Sequence, residues 1–244
     1  MTAQTLPTGG EKTARVRAMF DAIAPRYDLV NRLMTFGLDQ HWRRRAVDAL
    51  ALAPGSTVLD LACGTGVLGE LARRAGYRVV GADMSAGMLA NRRPPGGAAQ
   101  CDAVALPFPA GAFDGVVCGY ALRNFTDLAA SIAEAGRVVR PGGRIAVLEV
   151  ATPPNPVVRI GHQVWFHHAV PRIGAALSDP DAYRYLPDSV AYLPDDAALR
   201  ALFRRAGFAA VGRRLLQGGL SQLVTGTRAG DVGTGTARAG DGGR

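Results

Sequence analysis

Val58-Leu59-Asp60-Leu61-Ala62-Cys63-Gly64-Thr65-Gly66 is a short apolar run that enters a glycine-rich turn. Val67 to Ala75 follows with helical character and closes near Gly76, a residue type suited to a helix C-cap. A strand, a tight turn and a helix in that order make half of a βαβ unit. Working outward, the alternation repeats. Arg78 to Ala82 reads as a second strand, with Ser85 as N-cap to a short helix. Cys101-Asp102-Ala103 follows a short third strand, and Phe113 to Cys118 is a fourth. Asp127 to Val139 reads as an amphipathic helix stopped by Pro141-Gly142-Gly143, and Arg144 to Val150, apolar almost throughout, as a buried strand. The last two strand candidates, Phe208 to Arg214 and Leu220 to Thr225, are too close for a crossover and suit an antiparallel hairpin. The expected fold is α/β: a doubly wound, mostly parallel seven-stranded sheet with one antiparallel strand near its edge.

Length and composition bound the function. The chain has 244 residues, 48% hydrophobic and 20% charged. A chain of this size buries about 70% of its unfolded surface in one core, which excludes disorder as the main state. No apolar run approaches the length of a membrane span, and Met1 to Phe20 lacks the apolar segment of an export signal. A cytoplasmic protein is expected. Cys63, Cys101 and Cys118 show no CxxC spacing and read as reduced thiols, with neither a disulfide frame nor a zinc site. Residues 1–10 and 227–244 are expected to be disordered tails. Residues 11–226 form one expected domain, in which a helical N-terminal lid (11–52) and a helical insert (156–191) lie outside the alternating pattern. Both are placed to roof the crevice beyond the strand ends, where α/β sheets bind ligands.

The net charge is +8, from 28 basic and 20 acidic residues. Only Lys12 is a lysine. The arginine bias, with heavy Ala and Gly use, matches a GC-rich genome. The arginines scatter as doublets and one triplet, Arg43 to Arg45, without the basic stripe interleaved with aromatics that RNA binding favours. A solvated surface is expected, and no nucleic-acid partner.

The turn admits two cofactors. Gly64-x-Gly66-x-x-Gly69, with Asp83 nineteen residues after Gly64, satisfies the dinucleotide fingerprint. Asp60 argues against it. A carboxylate at the mouth of the turn repels a pyrophosphate but favours the ammonium and sulfonium of S-adenosylmethionine. Asp83 can accept from both ribose hydroxyls, and Asp102 from an adenine amino group. Each aspartate alone reads as a cap or turn residue; three at the ends of three successive strands do not. The expected cofactor set is Asp60, Gly64, Thr65, Gly66, Asp83, Met84, Asp102, Ala103 and Gly119.

With Asp60-x-Ala62-Cys63-Gly64-Thr65-Gly66 in place, the chain resembles the class I S-adenosylmethionine-dependent methyltransferases, whose fold is Rossmann-like. More narrowly it resembles the ubiquinone/menaquinone C-methyltransferase family, from about Val16 to about Thr225. One family signature stands here as Tyr27-Asp28-Leu29-Val30-Asn31, then Thr35, then Asp39-Gln40-His41-Trp42; Val30, Thr35 and Asp39 depart from it. A second reads Arg137-Val138-Val139-Arg140-Pro141-Gly142-Gly143, on to Leu148-Glu149-Val150-Ala151, with Arg140 and Ala151 in place of lysine and serine. Leu122-Arg123-Asn124 matches a third, with Ala121 in place of its glycine, and Asp181 to Ser189 is also family-like. Gly119 stands where a serine is common, and Gly218-Gly219 is followed by Leu220-Ser221-Gln222-Leu223, without the family's usual histidine.

The resemblance implies methyl transfer to a ring carbon of a prenylated quinol. The ring must be electron-rich, so a quinol or its phenolate is the acceptor and a quinone is not. If the hydroxyl titrates like tyrosine, forming the anion at pH 7 costs about 4 kcal/mol, which a site with anion-stabilising groups can supply. Arg123 and Asn124 follow the fourth strand at its carboxyl end. The resemblance points to this pair, with Tyr27 of the lid as a third member of the catalytic set. Arginine cannot act as a base, but it can stabilise a phenolate or orient a water. The competing reading of Arg123 is a surface ion pair with Asp127 one helical turn on. Asp28 and Asn31 read equally well as lid braces, and Tyr120 as a pocket wall. His162, His167 and His168 lack metal-ligand spacing, so no metal is expected. The apolar insert around Trp165 and Phe166 suits an isoprenoid tail, a membrane surface or ordinary lid packing alike.

The leading reading is therefore conversion of demethylmenaquinol to menaquinol, with S-adenosylmethionine as methyl donor. Another phenolic or isoprenoid acceptor stays open because of the altered C-terminus. A nucleic-acid methyltransferase and a non-catalytic S-adenosylmethionine-binding protein are weaker readings. A peripheral contact with the inner face of a membrane and a homodimer are both compatible with the sequence.

Overall fold

The computed structural model describes residues 9–93, 97–177, 185 and 189–230. Its centre is one sheet, with seven strands among the described residues: β1 (Thr57–Leu61), β2 (Arg78–Asp83), β3 (Ala98–Gln100), β4 (Phe113–Gly119), β5 (Val139–Val150), β6 (Phe208–Leu216) and β7 (Ser221–Arg228). The spatial order is β3-β2-β1-β4-β5-β7-β6. The strands from β3 to β5 pair in parallel, and β7 runs antiparallel between β5 and β6. This is the mixed sheet expected, with the reversed strand next to the edge.

Strand residues alternate between two cores because successive side chains leave opposite faces. Leu59, Val116, Cys118, Ile145, Val147 and Val224 face one side, against Ile132, Ala135 and Val138 of α6 (Leu128–Val138) and Leu199 and Phe203 of α9 (Asp196–Arg205). Val58, Val117, Ala146, Leu148 and Leu223 face the other, against Trp42, Ala46 and Val47 of α3 (Leu38–Asp48) and Leu68 and Ala72 of α4 (Val67–Arg74). Burial on both faces explains why the central strands read as unbroken apolar runs. A third cluster sits beyond the strand ends. It joins Ile23 of α1 (Gly9–Ile23), Val30 of α2 (Tyr27–Met34), Met88 of α5 (Ala86–Ala90) and Val170 of α8 (Val170–Leu177), with Trp165 and Phe166 packed on it.

Several boundaries differ from expectation. Helix α6 ends at Val138, and β5 begins at the next residue and runs through Pro141-Gly142-Gly143. These residues form an irregularity in β5 rather than the loop that stops the helix, and the register against β4 shifts between Phe113 and Gly115. Gly143 is needed there, since a Cβ would sit 2.6 Å from the Asp114 carbonyl oxygen. Asp127 is the N-cap, its Oδ1 accepting from the Ala130 N–H at 2.9 Å. Helix α1 starts at Gly9 and β7 reaches Arg228, so residues 9–10 and 227–228, expected in tails, belong to regular elements. The remainder of both tails lies largely outside the described residues, as does most of the family-like run 181–189. The insert contains α7 (Pro156–Val164), one π-helical stretch (Trp165–Ala169) and α8. All three cysteines are free thiols.

Candidate active site

The turn after β1 is shaped by backbone that few residue types adopt. Ala62 has φ +53°, Gly64 φ +53° and Gly66 φ +87°, and Gly66 serves as N-cap of α4. A side chain at Gly66 would also strike the Arg92 stem, 2.9 Å from the Cβ position. Asp83, at the end of β2, fixes the turn from the side. Its Oδ2 accepts from the Gly64 N–H at 2.7 Å and its Oδ1 from the Ser85 N–H at 2.8 Å. Each carboxylate oxygen keeps further acceptor capacity. Burial pushes the Asp83 pKa up, against these backbone N–H groups.

These elements line a cavity enclosing about 920 Å³ of empty space, open to solvent. Of the expected cofactor residues it brings together Asp60, Gly64, Thr65, Asp83, Met84, Asp102, Ala103 and Gly119, with Tyr27 and Asn124 from the expected catalytic set. Gly66 is not on the wall; it holds the turn. Arg123 is not on this wall either. Asp102 accepts from the Val104 N–H at 3.2 Å through Oδ1.

Asp60 is 1% exposed, and neither of its oxygens makes a well-formed hydrogen bond. Helix α4 passes against it at Gly69, where a Cβ would lie 2.7 Å from Oδ2. Burial raises its pKa to about 7, against the Arg43 charge, the Gly69 N–H and the Arg92 charge. A buried carboxylate without a partner is costly unless a cation completes it. An ammonium-bearing ligand does so and a pyrophosphate does not, so the residues present fit S-adenosylmethionine and not a dinucleotide.

The N-terminal helices close over this turn. Thr65 Oγ1 donates to Asp28 Oδ1 at 2.8 Å. Asp21 Oδ1 accepts from Ser85 Oγ at 2.5 Å and from the Gly87 N–H at 2.8 Å. Lys12, 4% exposed, donates from Nζ to the carbonyls of Arg123 at 3.1 Å and Phe125 at 2.8 Å. Asp28 thus braces one element against another instead of capping its own helix. These links escape sequence reading because they join residues 37 to 113 positions apart.

A second cavity, with about 1340 Å³ of empty space, adjoins the first. Its wall is mainly apolar and includes Met19, Ile23, Met34, Trp42, Trp165 and Phe166. Phe20, Tyr27, Arg43, Tyr120 and Asn124 line both cavities and form the wall between them. Asn124 is 9% exposed and its Oδ1 is buried without a partner. Tyr120 sits at φ +62°, and its hydroxyl shares a hydrogen bond with Ser221 at 3.2 Å. It is a wall residue, as expected, and burial raises its pKa.

Arg123 lines the second cavity with Tyr27 and Asn124, but the ion pair with Asp127, which caps α6, does not form. Its side chain is buried against Glu149: Nη1 pairs with the Glu149 carboxylate and donates to the Tyr120 carbonyl at 3.0 Å, while Nε donates to Ser189 Oγ at 3.1 Å. It lines the second cavity, but with Nε and Nη1 already engaged. Glu149, 0% exposed, belongs to the second family signature, and nothing local marks it as the partner of a residue 26 positions away. Arg43, expected on a solvated surface with Arg44 and Arg45, is not solvated. It is 7% exposed, ion-paired to Asp39 at 3.4 Å, and its guanidinium lies 5.4 Å from the Tyr120 ring centre. The helical period could have found it, since it adjoins Trp42 on the face of α3 that meets the sheet.

Of the departures from the family signatures, Gly119 and Ala121 line the first cavity, Val30, Arg140 and Ala151 line neither, and four residues lie on the second. Thr35, Asp39, Leu220 and Ser221 all line it, and Thr35 Oγ1 donates to Asp39 Oδ1 at 3.1 Å.

Comparison with known proteins gives a consistent result. The ubiE/COQ5 methyltransferase family matches residues 9–228. Demethylmenaquinone methyltransferase of Thermus thermophilus is 45% identical over 221 residues, covering 86% of this chain and 100% of that protein. The protein of that name in Mycolicibacterium paratuberculosis is 43% identical over 212 residues, covering 85% and 91%. Among solved structures, a methyltransferase in complex with the Haloferax volcanii Trm112 activator superimposes with a TM-score of 0.63 at 19% identity, over 86% of this chain and 97% of that one. The last likeness concerns the fold alone.

Proposed function

The chain belongs to the ubiE/COQ5 methyltransferase family, and from that premise we propose that it transfers a methyl group from S-adenosylmethionine to a ring carbon of demethylmenaquinol. The observation that carries this reading is the wall shared by the two cavities, where Tyr27 and Asn124 stand between a cofactor-shaped site and a large apolar one. S-adenosylmethionine supplies an electrophilic methyl on sulfur. A new C–C bond forms as the S–C bond breaks, and the ring then loses its proton to solvent or a bound water.

Asp60 holds the ammonium, Asp83 the ribose hydroxyls and Asp102 the adenine amino group. Asn124 Oδ1 accepts the hydrogen bond of a ring hydroxyl, which satisfies both buried groups and orients the ring. Tyr27 packs against the ring and closes the site from the lid, residues 11–52. Arg123, held by Glu149, Ser189 and the Tyr120 carbonyl, shapes the floor of the acceptor cavity and contributes positive potential to a developing phenolate. Enclosure strengthens each of these interactions by excluding water.

The apolar second cavity suits the isoprenoid tail, and its rim suits a membrane. Along one side of α7, Val157, Ile160 and Val164 are 77%, 61% and 55% exposed, and Phe36, on the cavity wall, is 74% exposed. Residues 156–177 contain Arg159 and Arg172 and no acidic residue. This composition matches an anionic lipid surface. It matches a second copy of the same face less well, because a two-fold contact would bring like charges together.

A second reading, another phenolic acceptor, draws on the four departures that line the acceptor cavity. Methyl-labelled S-adenosylmethionine presented with short-tailed demethylnaphthoquinol, the benzoquinol counterpart and simple phenols decides between them. Label in the naphthoquinol product at the highest kcat/KM supports the proposal. Turnover of another phenol, with none on either quinol, overturns it.

A further inference from the structure

The amino-acid end of S-adenosylmethionine carries a carboxylate as well as an ammonium. Asp60 suits the ammonium and repels the carboxylate, so a site built on Asp60 alone is half complete. The first cavity contains one cation among the described residues of its wall, Arg43. Arg43 is 7% exposed, so its position is set by packing rather than by solvent. Its Nε is engaged by Asp39 at 3.4 Å, and its Cζ lies over the Tyr120 ring, 5.4 Å from the ring centre. Both terminal nitrogens are left without a hydrogen bond to the described residues. Nη1 lies beside Gly119 at the end of β4, where a Cβ would stand only 3.5 Å from it and 3.1 Å from Leu68 Cδ2. Arg43 and Gly119 thus share the cavity wall, with Nη1 in ordinary contact distance of the position a Cβ would take.

We propose that Arg43, next to Gly119, is the carboxylate-binding group of the cofactor site. Asp60 and Arg43 then recognise the two opposite charges of an α-amino acid from one wall. Arg43 is always charged and presents paired donors, which match a carboxylate's two oxygens. Asp39 holds it in place and offsets its burial. The inference rests on the donor being S-adenosylmethionine and is independent of the acceptor's identity.

Isothermal titration of the full chain with S-adenosylmethionine and with its decarboxylated analogue tests this directly. The analogue keeps the ammonium, sulfonium and nucleoside and lacks only the carboxylate. The wild type is expected to bind S-adenosylmethionine about 10- to 100-fold more tightly, the range of a charge-assisted hydrogen bond. In Arg43→Gln the two ligands should come within about threefold, through weaker binding of S-adenosylmethionine alone. A general loss of shape weakens both ligands and leaves the ratio unchanged, so the ratio separates recognition from folding. Arg43→Lys keeps the charge but loses the paired donors; it should show an intermediate ratio, and it reports on the proposal even if the glutamine variant does not fold. A wild type without preference, or variants that keep the wild-type ratio, would overturn the proposal. So would variants that lose only acceptor turnover, since Arg43 also borders the second cavity. Failure of methyl transfer to a quinol, with the binding ratios as expected, would count against the proposed acceptor and leave Arg43 in its role.

Discussion

Asp28 of the N-terminal segment accepts a hydrogen bond from the hydroxyl of Thr65, in the cofactor turn, at 2.8 Å. The lid and the turn are thus one hydrogen-bonded unit. Thr65 is 6% exposed, so losing its acceptor leaves a nearly buried hydroxyl unpaired. Asp28→Ala should lower stability by about 1 kcal/mol. It should also weaken S-adenosylmethionine binding severalfold by loosening the lid, whereas Asp28→Asn, which keeps an acceptor, should lie close to the wild type. Urea unfolding and cofactor titration on the same samples measure both effects.

Asp60 should make cofactor binding pH-dependent. In the free protein burial brings its pKa to about 7, so below that pH the carboxyl is mostly neutral and offers little to an ammonium. A bound cation favours the ionised form and lowers the pKa. Affinity should therefore rise about tenfold between pH 6 and pH 8, with release of a proton on binding at the lower end. Titration in two buffers of different ionisation enthalpy counts that proton. Asp60→Asn should bind weakly and lose the pH dependence.

Removing one member of the Arg123–Glu149 pair leaves the other charge buried. Glu149→Met and Arg123→Met should each lower stability by about 3–5 kcal/mol. The double replacement Arg123→Met with Glu149→Met should cost clearly less than the sum of the two single truncations, since no charge is left uncompensated. A double-mutant cycle by denaturant unfolding reads the coupling directly. Additive losses would mean that the pair acts through packing alone.

The exposed apolar stripe of α7 should carry the protein onto lipid. Vesicles of phosphatidylcholine with phosphatidylglycerol should co-sediment the wild type more than pure phosphatidylcholine does, and added salt should reduce the difference. Val157→Ser, Ile160→Ser and Val164→Ser together should abolish the association. If the triple variant instead converts a dimer to a monomer in sedimentation, the stripe joins two copies of the chain.

Most of the fold was legible because its signals are local. Val58–Gly66 carries a strand and a turn in nine consecutive residues, and the short gap between Phe208–Arg214 and Leu220–Thr225 dictates an antiparallel pair. Asp83 and Asp102 were legible as members of the first cavity's wall because their place at strand ends follows from the strands themselves. Pro141-Gly142-Gly143 misled because its turn chemistry is satisfied inside a strand, where Gly143 clears the Asp114 carbonyl. Arg123 was found by motif, but its burial depends on Glu149, one strand away in space. Arg43 and Lys12 were invisible for a related reason: a charged side chain reads as solvated until a distant partner is known. Lys12 finds its partners at Arg123 and Phe125, more than a hundred residues on.

Asn124 is proposed to orient an electron-rich ring at the wall between the cavities. Single-turnover label transfer from S-adenosylmethionine to a short-tailed demethylnaphthoquinone tests it, run with the acceptor oxidised and reduced, on the wild type and on Asn124→Ala. The account predicts transfer to the reduced ring alone, and a loss of about 100-fold or more in the variant, the range for removing one well-placed polar contact to a reacting group, with cofactor affinity little changed. Equal transfer to the oxidised ring, or a variant as fast as the wild type, would contradict it.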